Sequence, residues 1–416
     1  MSENQEKSAS SENDGSKPGK MALLLIFLTI FIDLVGFGLI IPALPTYAQE
    51  LNASKSTIGY LIASYSVMQF LFMPFWGRLS DRVGRKKILL VSLTASFLGY
   101  LIWGFADSIW LLFFSRMVAG FGNANIAVAQ AYISDVTSLE DRAKGMGLVG
   151  AAFGLGFVIG PAIGAGASAL GMSLAALGFI AAAFSFIDLI LTAIYLPEPK
   201  VRSDAGKQRY GMGIGFYLNT LQAPDLRVSL LIFLVSTFAF ANMEATLVLL
   251  TNEQFKFDNM QNMLMFLYIG VLMVIVQGRL IHGLNKRFGE RKLIFAGCSL
   301  VAVGLVLTPL TSNPIVLYIA LGILALGSGI NTPANQSILS KLAPEESVGG
   351  VMGVGQSLST MGRILGPAVG GFAFEHYGAT SPYIIGAVTM VLAVVLSVLL
   401  PEVSHGGSAE QGNPSS

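Results

Sequence analysis

Asp33, Arg116, Glu244 and Arg363 each stand deep inside an apolar stretch of the chain. A charge surrounded by hydrocarbon is costly, so such residues face a partner or a water-filled cavity rather than lipid. A carboxyl in that setting is suited to taking up and releasing a proton, and a fixed guanidinium nearby would change its proton affinity. The segment FIDLVGFGLIIPALP (31–45) carries Asp33 in an otherwise apolar run. No nucleophile–base constellation, metal-ligand spacing or G-x-x-x-x-G-K-[ST] phosphate loop accompanies these residues, so neither an enzyme nor ATP-driven transport is expected. His282, His376 and His405 read as solvated, Cys298 as a packed thiol without a disulfide partner, and Asp188 as a structural residue at the bundle periphery. Asn52-Ala-Ser54 is a formal glycosylation sequon on an outer loop.

Membrane-crossing helices must position these groups. Of 416 residues, 53% are hydrophobic and 12% charged, against about 25% charged in soluble domains. A span needs roughly 20 apolar residues. Twelve stretches qualify: 21–43, 57–77, 88–106, 109–132, 145–167, 172–195, 227–251, 262–284, 292–310, 314–339, 349–374 and 380–400. No alternating strand pattern appears, which excludes a β-barrel. A net charge of +1 offers no basic face for nucleic acid. No signal peptide is read before the first span, and residues 1–20 and 401–416 read as disordered cytoplasmic tails.

Lys and Arg set the orientation. With the N-terminus inside, all 25 basic residues fall on the cytoplasmic side except Lys55, Lys256 and the two membrane arginines. The break at 197–226 then reads as a cytoplasmic linker between bundles at 21–196 and 227–400. One register aligns GPAIG (160–164) with GPAVG (366–370), and Gln130, Ser134, Glu140 and Gly147 with Gln336, Ser340, Glu346 and Gly353. DRVGRKK (81–87) meets KRFGERK (286–292) close to that register. The expected fold is all-α: twelve transmembrane helices in two pseudo-symmetric six-helix bundles. Internal repeats with a site between them characterise secondary transporters.

Counting along the helices at about 1.5 Å per residue places Asp33 roughly 16 Å and Arg116 about 20 Å from the cytoplasmic boundary. Glu244 and Arg363 come out at roughly 24 and 21 Å. Each bundle therefore holds one acid and one base at similar depth, and an ion pair is the expectation in each. Whether these pairs move protons or only brace the bundles stays open at this point. Polar stripes at helical spacing mark a cavity wall: Asn123 and Gln130 follow Arg116, Ser328 joins Asn331 and Asn335, and Gln356 and Ser359 precede Arg363.

Between the second and third spans, GRLSDRVGRKK (77–87) frames Asp81, Arg82, Arg85, Lys86 and Lys87 with Gly77 and Gly84. This loop resembles the signature of the major facilitator superfamily. DLVGFGLIIPALP (33–45), RMVAGFGNAN (116–125) and GLGFVIGPAIGAG (154–166) resemble its twelve-span drug/proton antiporter branch, tetracycline-efflux proteins above all. Ala165 departs from that fifth-helix pattern. FANMEATLVLLTNEQFKF (240–257) is similar to animal relatives of those proteins. The resemblance implies a proton-coupled antiporter that exports a hydrophobic or amphipathic molecule by alternating access. A symporter, or a lipid or organic-anion exporter, is the alternative, with a non-transporting sensor behind it. It further implies that Asp81 caps the start of the eleventh helix, that Arg85 pairs with Asp135, and that Asp33 and Arg116 couple protons. The second copy carries Lys286 at the place of Asp81, so the latch is expected to be one-sided. Small residues around two prolines, Gly156, Gly160, Pro161 and Gly164 with Gly366, Pro367 and Gly370, are expected to form a kinked, tight seam between the bundles. No cofactor is expected. The partners are a small-molecule substrate, protons and the lipid bilayer, with the chain a monomer in the cell (inner) membrane.

Overall fold

The computed structural model describes residues 17–123, 126–137, 142–199, 214–344 and 347–401. Among them every regular element is helical. The first half holds α1 (Lys17–Glu50), α2 (Lys55–Val83), α3 (Arg85–Gly104), α4 (described as Ile109–Gly122 and Ile126–Val136), α5 (Arg142–Ala169) and α6 (Leu174–Tyr195). A short linker helix, Ile214–Gln222, precedes the second half. There follow α7 (Pro224–Gln254), α8 (Asn259–Phe288), α9 (Glu290–Leu310), α10 (Pro314–Leu342), α11 (Val348–Tyr377) and α12 (Ser381–Val398). All except α11 are long and apolar enough to cross a membrane by length and composition. Helix α11 has the length, but its many glycines and Arg363 lower its hydropathy. The helices overrun the apolar stretches because backbone hydrogen bonding continues until a cap or a glycine ends it.

Local chemistry sets those ends. Ser54 accepts from the amide of Thr57 at 3.3 Å at the start of α2, and Asp258 forms a capping box with Gln261 on α8. Asn313 with Pro314 at the first turn begins α10. Six described residues have positive φ, and they fall into three pairs at corresponding points of the two halves. Asn52 (60°) matches Lys256 (57°), Gly84 (109°) matches Gly289 (77°), and Gly171 (71°) matches Gly378 (90°). The repeat is thus built into the turns as well as the helices.

Packing repeats too. Helix α1 packs on α5 and α6, and α3 on α4 and α6; in the second half α7 packs on α11 and α12, and α9 on α10 and α12. The bundles meet along two seams, α2 with α11 and α5 with α8. At the first, a Cβ on Gly59 would fall on the Pro367 carbonyl, so only glycine allows that approach. At the second, Gly270 faces the Phe157 carbonyl and Gly164 the Met263 sulfur. The expected seam glycines divide differently. Gly156 and Gly160 pack on Leu34 and Gly38 of α1, and Gly366 and Gly370 on Phe238 and Asn242 of α7. These four tighten each bundle internally, whereas Gly164 and Pro367 reach across. Periodicity gave the small face of each helix, but two helices compete for that face and the intra-bundle neighbour takes most of it.

Candidate functional site

Between the bundles lies a cavity of about 300 Å³. Its wall is unequal. The first half contributes only Phe37, Phe153, Phe157 and two glycines, while the second half contributes Phe233, Phe240 and Phe266 and all of the polar groups. Glu244 on α7 and Arg363 on α11 both line it, close enough for the guanidinium charge to act on the carboxyl. The amides of Asn331 and Asn335 reach the same wall but are already engaged. Asn331 donates to Ser236 Oγ at 2.9 Å and accepts from Cys298 Sγ at 3.4 Å. Asn335 accepts from Ser229 Oγ at 2.7 Å. They brace α10 against α7. Gln277, Gln336 and Gln356 also line the cavity, and among the described residues no side-chain hydrogen bond engages them. Gln277 sits in the π-helical segment Val276–Leu280, the kind of local widening that re-aims a side chain.

Asp33 and Arg116 lie outside this cavity, in the core of the first bundle, each about 1% exposed. The group that the Arg116 guanidinium lies over is Tyr65, at 4.6 Å from the ring centroid. Its Nε and Nη1 have no hydrogen-bond partner among the described residues. Tyr100 stands over Gly36, where a Cβ would come within 2.7 Å of its hydroxyl, and both Asp33 and Arg116 act electrostatically on that phenol. Aromatic contacts connect this cluster to the cavity. Tyr65 packs on Phe37 at 5.3 Å, and Phe37 on Phe157 at 5.7 Å. Asn123 is buried nearby, its carbonyl accepting from Gln69 at 3.3 Å, and Gln130 is exposed on α4; neither lines the cavity.

At the face bearing the linker, Arg85 is held by three groups. Nε donates to Asp135 at 2.9 Å, Nη2 meets Asp81 at 2.5 Å, and Nη1 donates to Ser80 at 2.6 Å. Glu198, just past α6, accepts from the amides of Arg85 and Lys86 at 2.5 and 3.1 Å, placing a carboxylate on the N-terminus of α3. Arg82 projects on the last turn of α2. Asp81 therefore meets Arg85 and not the start of α11. Among the described residues, the polar contacts that join the bundles lie at the opposite face. There Lys55 pairs with Glu253 and stands 4.6 Å over the Phe374 ring. The amide of Ser56 donates to Glu375 at 2.7 Å, and Asn252 contacts Thr46 at 3.2 Å. The second copy of the loop closes on its own ion pair, Glu290 with Lys341, supported by Asn285 and Ser337 at 3.0 Å each.

Sequence reasoning missed Glu198, Glu290, Lys55, Glu253, Glu375 and the true setting of Asp188. Asp188 is about 1% exposed and accepts from Thr29 at 3.1 Å, so it faces α1 and not the periphery. Glu140, Glu346, His405, residues 200–213 of the expected linker and the two expected tails up to residue 16 and beyond 401 lie outside the described residues.

The family model described as Major Facilitator Superfamily matches residues 26–285 and 280–415. The class C tetracycline resistance protein of Escherichia coli is 31% identical over 398 residues, covering 92% of this chain and 97% of that protein. Multidrug resistance protein 1 of Bacillus subtilis (strain 168) is 29% identical over 387 residues, covering 92% and 97%. Among solved structures, the human organic anion transporter MFSD10 (TETRAN) superposes with a TM-score of 0.69 at 24% identity, covering 91% of this chain and 99% of that one. That last likeness concerns the fold.

Proposed function

The chain belongs to the Major Facilitator Superfamily and is a multi-pass membrane transporter, not an enzyme, and from that premise we propose that it is a proton-coupled antiporter exporting hydrophobic or amphipathic small molecules. The observation that carries this reading is the unequal cavity: phenylalanines from both bundles line it, while its polar groups, glutamines with Glu244 and Arg363, all come from the second. An aromatic wall takes a flat apolar molecule, and unengaged amides give it orientation. We place the linker face and both termini in the cytoplasm of the inner membrane, as the basic residues suggest, and read this state as the one open toward the cytoplasm. It would load substrate there, and proton entry at Asp33 with Glu244 as a second acid would drive return to the outward state. Arg85 and Asp81 would release their present contact as Asp81 moves to α11 and the linker face closes.

Export of an organic anion is the second reading, favoured by Arg363 in the cavity wall. Liposomes containing the purified chain decide between them. A proton gradient should drive uphill movement of a lipophilic cation such as tetraphenylphosphonium or of tetracycline. Movement of an anionic dye alone would favour the second reading, and no gradient-driven movement of either would reject both. The transported species is expected to be handled by a monomer in the bilayer.

A further inference from the structure

Asp188 is buried in α6 with hydroxyls for company. Thr29 Oγ1 donates to its Oδ1 at 3.1 Å, and the hydroxyls of Thr29 and Thr192 meet at 3.3 Å. Oδ2 of Asp188 has no hydrogen-bond partner among the described residues. Neither has Oγ of Ser185, equally buried one turn earlier on the same face of α6. Thr29 precedes Asp33 by four residues on α1, so the two carboxyls occupy successive turns, about 6 Å apart in height. Asp188 is the one nearer the linker face.

The helices packed against α6 are α1 and α3. From α1, Asp33 is the charged group whose field reaches Asp188. From α3, the charged residues Arg85, Lys86 and Lys87 lie at the linker-face end, where Arg85 is held by Asp81 and Asp135. The phenol of Tyr100 feels the charges of both Asp33 and Arg116. The layer therefore contains two carboxyls and one guanidinium, Arg116. Two neighbouring carboxylates cannot both stay ionised in a dry core, and one cation balances only one of them. Charge balance is met when the pair holds a single proton.

Resting on the antiporter reading, we propose that Asp188 is a second proton-carrying carboxyl and forms with Asp33 a two-site relay running toward the linker face. In the transfer the proton leaves the Asp33 carboxyl and arrives on the Asp188 carboxylate past the Thr29 hydroxyl. The pair carries one proton and one negative charge before and after. Release from Asp188 to the linker side and uptake at Asp33 from the other side complete a turnover. The two sites behave as one coupled titration and not as independent acids.

The full chain in detergent tests this by infrared spectroscopy across pH. Wild type should show the carbonyl band of a protonated carboxyl that Asp188→Asn removes. Asp33→Asn should keep the band but displace its pH midpoint. Thr29→Val, which retains the carboxyl should Asp188→Asn fail to fold, should shift the band frequency. In liposomes, Asp188→Asn should lower the ratio of proton-driven uphill transport to substrate exchange by about tenfold or more. A band untouched by Asp188→Asn, a frequency untouched by Thr29→Val, or a transport ratio within about twofold of wild type overturns the relay. Sodium-driven transport without proton dependence overturns it as well. If wild-type liposomes show no ion-driven transport, the antiporter reading alone fails, and the infrared bands still decide whether the carboxyls share a proton.

Discussion

Arg85 and Asp135 form a buried ion pair at 2.9 Å, and their counterparts in the second half are Glu290 and Lys341, the same pair with its signs exchanged. Each pair ties the start of one helix to the end of the next at the linker face, α3 to α4 and α9 to α10. The repeat has preserved the bond and not the residues. Breaking such a pair leaves one uncompensated buried charge, which costs about 3 kcal/mol or more. Arg85→Ala should therefore lower the melting temperature of the purified chain markedly more than Arg82→Ala, whose side chain lies on an exposed turn. Equal effects would remove Arg85 from this role.

Exchanging both partners is the sharper check. Glu290→Lys combined with Lys341→Glu should recover most of the stability lost by either single change, because charge balance and geometry return together. The measurement is a double-mutant cycle on thermal unfolding. Additive losses would show that the two residues do not act on each other.

The face away from the linker is closed by contacts of another kind. Lys55–Glu253 is half-exposed, so the ion pair contributes about 1 kcal/mol or less. The glycine seam beneath it has no such slack. Gly59→Val should prevent the approach to Pro367 and shift the population toward a state open on that face. Lys55→Ala should change it only a few-fold, in line with the weaker contact. Distances between spin labels on α2 and α11 report both.

Phe37 belongs to the cavity wall and to the aromatic chain that ends at Arg116. Phe37→Ala should weaken substrate binding by about tenfold, as loss of a stacked aromatic contact and its apolar area implies. Calorimetry or fluorescence quenching with a transported drug measures it. Glu244→Gln, in contrast, should flatten the pH dependence of binding while leaving its magnitude at acid pH close to wild type, since the amide mimics the protonated acid.

Much of the architecture was legible from residue order. The twelve apolar stretches became twelve helices, and the stripe Asn331–Asn335 with Gln356 faces the cavity as helical spacing required. Spacing on one helix fixes which residues share a face, but not which neighbour that face meets. That is why Gly156 and Gly160 pack within their bundle. The same limit hid Asp188, whose partner Thr29 is 159 residues away in sequence. Glu198 and Glu375 escaped because a carboxylate near a helix end carries no motif of its own. Their amide partners on Arg85 and Ser56 are brought to them only by the fold.

Coupling of proton movement to substrate export through a buried carboxyl of the first bundle is tested by Asp33→Asn in liposomes, comparing uphill transport driven by a proton gradient with substrate exchange in its absence. Gradient-driven transport should fall by about two orders of magnitude relative to exchange. Gradient-driven transport at the wild-type ratio would rule out coupling at Asp33.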